Sequence, residues 1–127
     1  MFRFAAFAFL LATCGPDETI SGFATPQASY RLISLDGVDF TARASVRFPD
    51  PGQVTGTGPC NNFNAVQRVP YPWFELGPIA STRRACPELG AETTYFAALG
   101  EMRFAEVFDD TLLLSNEAGR EMVFQVE

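Results

Sequence analysis

Histidine and lysine are both missing from this 127-residue chain; its nine cations are all arginine, set against fifteen aspartates and glutamates. Without histidine there is no Ser-His or Cys-His pair, no imidazole metal site and no side chain that ordinarily titrates near neutrality. Without lysine there is no Schiff base, no Ser-Lys dyad and no phosphate loop of the GxxxxGK[ST] type. The formal charge of -6 and the pI near 4.6 describe a surface that repels phosphate backbones, so no nucleic-acid partner is expected. Cysteine is scarce: Cys14, Cys60 and Cys86 follow neither a CxxC nor a zinc spacing, and no metal or other cofactor is expected. Internal repeats and low-complexity tracts are absent as well. Long apolar runs are missing too. The unbroken apolar stretch at residues 4–12 is nine residues long, against the roughly 20 that a membrane-spanning helix needs.

That stretch is too short for a span but suits the apolar region of an export signal. It follows Met1-Phe-Arg3, a minimal positive start, and ends in Leu11-Ala12-Thr13-Cys14. The ending resembles the lipobox of bacterial lipoproteins, with Leu three residues before a Cys that is acylated and becomes the mature N-terminus. Thr13 departs from the small residues usual before that Cys. The reading is a lipoprotein-type signal peptide over residues 1–13 with lipid attached at Cys14. The competing reading is an ordinary cleaved signal with Cys14 incidental. Residues 14–28 begin Cys-Gly-Pro-Asp-Glu, polar and turn-forming, and read as a flexible tether ahead of a domain at 29–127. If Cys14 carries lipid, Cys60 and Cys86 remain, and an exported compartment favours their pairing. Two buried free thiols are the alternative.

Thirteen Phe, three Tyr and one Trp in a chain 47% hydrophobic are enough for one modest core and too little for two. Residues 38–48 alternate apolar and polar without a fault, a strong signal for a half-buried strand. Asp36-Gly37 joins this stretch to a strand at 30–35 as a two-residue hairpin turn. Further strands are expected at 53–57, 63–69, 73–76, 104–108, 111–115 and 120–126, separated by Pro, Gly, Asp and Asn turns. Between them Leu89, Tyr95, Phe96, Leu99 and Met102 recur at helical spacing, predicting one amphipathic helix over about 88–103. The expected architecture is mainly β with one helix, α+β by content: about eight antiparallel strands in a curled sheet or barrel, the helix capping one end.

Two segments carry a family likeness. Gly56-Thr-Gly-Pro-Cys-Asn-Asn-Phe63 is similar to the G-x-x-GCN-x-F segment of META (HslJ-like) domains, and Ile79-Ala-Ser-Thr-Arg-Arg-Ala-Cys-Pro87 is similar to their I-A-S-T-x-M-A-C-P segment. The order of strand, CN turn, T-x-x-x-C, helix and three strands covers residues 29–127. Pro59 stands where the family usually has Gly, and Arg84 where Met is common. The resemblance implies a compact β-barrel-like domain of exported bacterial proteins, linked to stress or antibiotic tolerance, and it brings no catalytic residues. The motif residues read as structural. Gly56 and Gly58 permit positive φ or close strand approach, and Asn61 and Asn62 suit a corner after Cys60. Thr82 is placed to bond a turn amide ahead of the helix, and Phe63 belongs to the motif's strand.

The carboxylates offer little chemistry. Asp109-Asp110 reads as a solvated turn, and Glu88 and Glu92 as helix-start acids favoured by the dipole. The expected function is therefore non-enzymatic: a lipid-anchored, monomeric cell-envelope protein facing the periplasm, on the outer membrane in preference to the inner. It would act as a protein-contact or stress-tolerance module with an envelope protein as partner. The alternative is a small binding module, carrying an apolar ligand in its barrel or inhibiting a basic enzyme such as a lysozyme.

Overall fold

Asp36 and Gly37 both adopt positive φ, 52° and 77°, so the two-residue turn has the left-handed backbone that matches strand twist. It joins β1 (Tyr30–Leu35) to β2 (Val38–Asp39). The computed structural model describes residues 16–127; the stretch expected to be a signal peptide, 1–13, and the expected lipid site Cys14 lie outside the described residues. Continuing downstream are β3 (Ser45–Arg47), β4 (Gln53–Thr57), β5 (Asn62–Val66), β6 (Ala80–Ser81), the helix α1 (Leu89–Glu101), β7 (Phe104–Phe108), β8 (Thr111–Ser115) and β9 (Glu121–Val126). All pairings are antiparallel, in the order β6-β5-β4-β3-β1-β9-β8-β7, with β2 on β1. Among the described residues this is one curled sheet of nine strands, and it does not close into a barrel. Its ends, β6 and β7, do not pair. The chain between them stitches the gap with single bonds: Gly77 donates its amide to Val66, and Phe74 donates to Arg103.

The strand expected over 38–48 is broken in two. The hairpin register, Ser34 opposite Asp39, would place Arg43 opposite Tyr30, yet Tyr30 faces Val46. The intervening residues therefore arch out of the ladder. A bulge at Ile33 on β1 compensates for the odd slip. The even-numbered side chains consequently keep the inward face: Ala44, Val46 and Phe48 are buried and Phe40 packs on the core. Val38 is the exception, 69% exposed at the rim. The strand expected at 73–76 is reduced to a single bridge, Trp73 with Phe104, because the Trp73 amide turns back to the Pro70 carbonyl and only the Phe74 amide reaches across, to Arg103.

The packed body also begins before Ser29, within the stretch expected to be a tether. Asp17 accepts from the Thr19 amide and hydroxyl and from the Ser21 hydroxyl, which shapes a short 3-10 turn at Ile20–Gly22. Ile20 is 2% exposed and Ala24 is buried, both in the core. Composition suggested a tether because it registers the polar residues and misses one well-placed Ile.

The helix lies across the concave face and fills it. Tyr95, Ala98 and Leu99, with Met102 just beyond the helix, pack against Leu32, Leu112, Leu114, Met122 and Phe124. Tyr95 meets Phe63 edge-on at 6.0 Å and donates its hydroxyl to the Ser45 carbonyl at 2.8 Å. Burial holds that hydroxyl well above its ordinary value of 10, so it remains a donor. Gly56 explains how β3 and β5 approach so closely on either side of β4. Its φ is not positive; rather, a Cβ there would sit 2.1 Å from the Ser45 oxygen and 2.6 Å from the Phe63 ring. Tyr95→Phe removes the bond between helix and sheet while keeping the packing. Denaturant titration should show a loss of about 1–2 kcal/mol with unchanged slope, and an unshifted midpoint would contradict this role.

Candidate functional site

The two motif segments and the first turn of the helix converge on one side chain, Asn61, which is buried. After β4 the chain turns at Gly58-Pro59-Cys60, and the Gly58 amide bonds the Asn61 carbonyl at 2.7 Å. The Asn61 side chain then uses its full capacity. Its Nδ2 donates to the Arg84 carbonyl at 2.9 Å and to Glu92 Oε2 at 2.7 Å. Its Oδ1 accepts from the Thr82 hydroxyl at 3.0 Å and from the Arg84 amide at 2.6 Å. Thr82 therefore serves Asn61 and not a turn amide. Asn61 and Asn62 are absent from the positive-φ residues, so neither acts through a left-handed corner; Asn62 is exposed at the start of β5.

Glu92 is the residue that sequence reasoning misjudged. Expected as a solvated helix-start acid, it is 4% exposed. Its Oε1 accepts the Cys60 amide at 3.1 Å and the Asn61 amide at 2.7 Å, while Oε2 takes Asn61 Nδ2. A carboxylate buried without partners is costly, and here the partners are amides from a facing loop together with the positive end of the helix. No ion pair to Glu92 occurs among the described residues. A signal was available: Glu92, Tyr95, Leu99 and Met102 share one helical stripe, and a charge on a buried stripe demands partners. Gly58 now has its reason. A Cβ there would lie 2.5 Å from Glu92 Oε1, so only glycine lets the carboxylate reach the loop.

Cys60 and Cys86 form a disulfide with a Cα–Cα distance of 5.6 Å across a separation of 26 residues. It ties the same two segments that Asn61 bonds, and in the chain-entropy model a loop of this size contributes about 3.5 kcal/mol. Phe63 is buried beside the cluster, edge-on to Phe96 at 5.2 Å. Arg83 and Arg84 are exposed. Only the backbone of Arg84 is read by Asn61, which is why this chain accommodates an arginine where the family commonly has methionine. The structure therefore brings Gly58, Cys60, Asn61, Phe63, Thr82 and Cys86 together, and adds Glu92. Asp109 takes positive φ at the β7–β8 turn, and it and Asp110 are exposed. Among the described residues no group of three or more His, Cys, Asp or Glu is placed to hold a metal, and no helix is long and apolar enough to cross a membrane.

A curled antiparallel sheet wrapped on one helix, with a Cys-Asn corner locked to a Thr-x-x-x-Cys segment, defines a small class of β-rich domains. The META domain family model matches residues 23–127, and the chain belongs to that family. A protein from Burkholderia xenovorans solved by NMR has the same fold, with a TM-score of 0.66 at 18% identity over 80% of this chain and 83% of that one. A second NMR structure gives 0.61 at 20% identity, covering 78% and 88%. A DUF4847 family protein from Bacteroides vulgatus gives 0.55 at 15% identity, covering 65% and 57%. No curated protein matches the sequence.

Glu92→Gln supplies an amide where Asn61 needs two acceptor oxygens, leaving donors facing donors. Stability should fall by about 2–4 kcal/mol, with far-UV dichroism unchanged under native conditions. A variant within about 0.5 kcal/mol of the parent in chemical denaturation would show that the carboxylate is not needed there.

Proposed function

We propose that this META domain is a non-enzymatic, monomeric module of the bacterial cell envelope, exported, anchored by lipid at Cys14 and acting through contact with an envelope protein. The observation that carries the non-enzymatic part is the state of the buried acid. Glu92 Oε1 is taken by two loop amides and Oε2 by Asn61, whose own side chain is saturated, so the buried acid is committed to holding the loop. A catalytic acid or base needs a reacting atom within hydrogen-bond reach, and a neighbour that sets its proton affinity apart. Lacking histidine and lysine, the chain has few other routes to such chemistry.

Export and anchoring rest on the apolar run at 4–12, which leads through Leu11-Ala12 into Thr13-Cys14, and on the Cys60–Cys86 disulfide, which suits an oxidising compartment. The periplasmic side of the outer membrane is the favoured address. Protein contact is preferred to carriage of an apolar ligand because the concave face is occupied by Tyr95, Leu99, Met102 and Phe124, all fully buried. A role in stress tolerance agrees with what the family resemblance implies.

Mass spectrometry of the protein from an expressing bacterium should find residues 1–13 removed and acyl mass on Cys14. Crosslinking in the intact envelope should capture a protein neighbour. An unmodified N-terminus further along the chain would defeat the anchor. A turnover that co-purifies with the chain and disappears on changing one Asp or Glu would defeat the non-enzymatic reading.

A further inference from the structure

Three aromatic side chains are half exposed on or beside the β7 end of the sheet: Phe23 at 51%, Trp73 at 55% and Phe108 at 50%. They belong to one built surface. Phe23 stacks on Tyr71 with ring centroids 4.2 Å apart, and the Tyr71 hydroxyl accepts the Val107 amide at 3.0 Å. Trp73 packs on Phe104 at 5.4 Å, and the Pro72 carbonyl accepts the Ala105 amide. Buried Gln67 donates to the Val69 and Trp73 carbonyls and steadies the loop that presents the indole. On the outward face of β7, Phe104 and Phe108 stand about 13 Å apart with Glu106 exposed between them. Trp73, with an apolar face and a polar N–H edge, suits a lipid–water boundary, and Phe23 and Phe108 offer purely apolar area beside it.

The chain's own path says what lies opposite. The Glu18 carbonyl accepts the Tyr71 amide at 2.7 Å, and Asp17 to Ala24 is packed rather than free, so the N-terminal segment joins the body at this aromatic surface. From Glu18 back to Cys14 is four residues, a reach of at most about 14 Å. We infer that the Phe23–Trp73–Phe108 surface docks on the membrane in which Cys14 is anchored, holding the domain against the lipid in a set orientation. This rests on the lipid-anchor reading proposed above. The contact is with the apolar boundary and not with headgroup charge, because a chain richer in acids than in arginines gains nothing from an anionic surface. Raising the salt concentration therefore leaves the docking intact.

Trp73 is the one tryptophan of the chain and reports on the contact directly. The mature protein from the native host, confirmed as acylated by mass, is reconstituted on phosphatidylcholine–phosphatidylethanolamine vesicles, some carrying lipid brominated near the headgroup end of the acyl chain. The expected result is quenching by the brominated lipid, and iodide quenching reduced about twofold or more relative to the unacylated Cys14→Ser chain free in solution, at low and high salt alike. Phe108→Asp, at an exposed position at the end of β7, should restore iodide access while the protein still floats with the vesicles. Acylated, vesicle-bound protein whose Trp73 stays open to iodide overturns the docking and leaves the anchor standing. A chain with no acyl group overturns both. Protection of Trp73 in envelope fragments but not on pure lipid assigns the surface to a protein partner and also overturns the docking.

Discussion

The contact between the Glu92 carboxylate and the Cys60–Asn61 backbone is the constraint on which the rest of the arrangement depends. It fixes the helix to the corner between β4 and β5 at a point where neither could otherwise satisfy its polar groups. Burying a carboxylate requires donors, and burying loop amides requires acceptors; each solves the other's problem. The remaining features follow from that pairing. Gly58 has no side chain because the carboxylate occupies the space one would fill. Asn61 must be an amide, since it donates to Glu92 and Arg84 while accepting from Thr82 and Arg84. The disulfide closes the same junction covalently. With the helix seated, Tyr95 reaches Ser45 and the concave face fills.

This also explains why a sheet with unpaired ends holds its curl. A closed barrel would satisfy its edges by pairing, but here β6 has two residues and the free side of β7 is met by single bonds from the 71–74 segment. Short length and coverage protect these edges in place of closure. The helix and its polar anchor supply the curvature that a closing ladder would otherwise enforce.

Much of the fold was legible because strand alternation and hairpin turns are local. The strands β1, β4, β7 and β8 fall where alternation and turn residues placed them, and the helix begins and ends within two residues of its expected bounds. What escaped was non-local. The interruption between β2 and β3 depends on a register slip against β1 that no property of residues 38–48 announces. The early start of the packed body turns on one side chain, Ile20, finding the core. At the site, the motif located Gly58, Cys60, Asn61, Thr82 and Cys86 but not their common purpose, because the acid that organises them lies outside both motif segments. Glu92 resembled an ordinary dipole-favoured acid, and only its place on the Tyr95–Leu99–Met102 stripe marked it as buried.

If the Glu92 contact governs the arrangement, the junction is as stable as the core and opens only when the whole domain unfolds. Native-state hydrogen exchange tests it most directly, by comparing the amides of Cys60, Asn61 and Arg84 with those of Leu112 and Leu114 in β8. Both groups should exchange with the same free energy and the same denaturant dependence, that of global unfolding. Exchange of the Cys60 and Asn61 amides through a local opening of far lower free energy, while β8 remains protected, would contradict it.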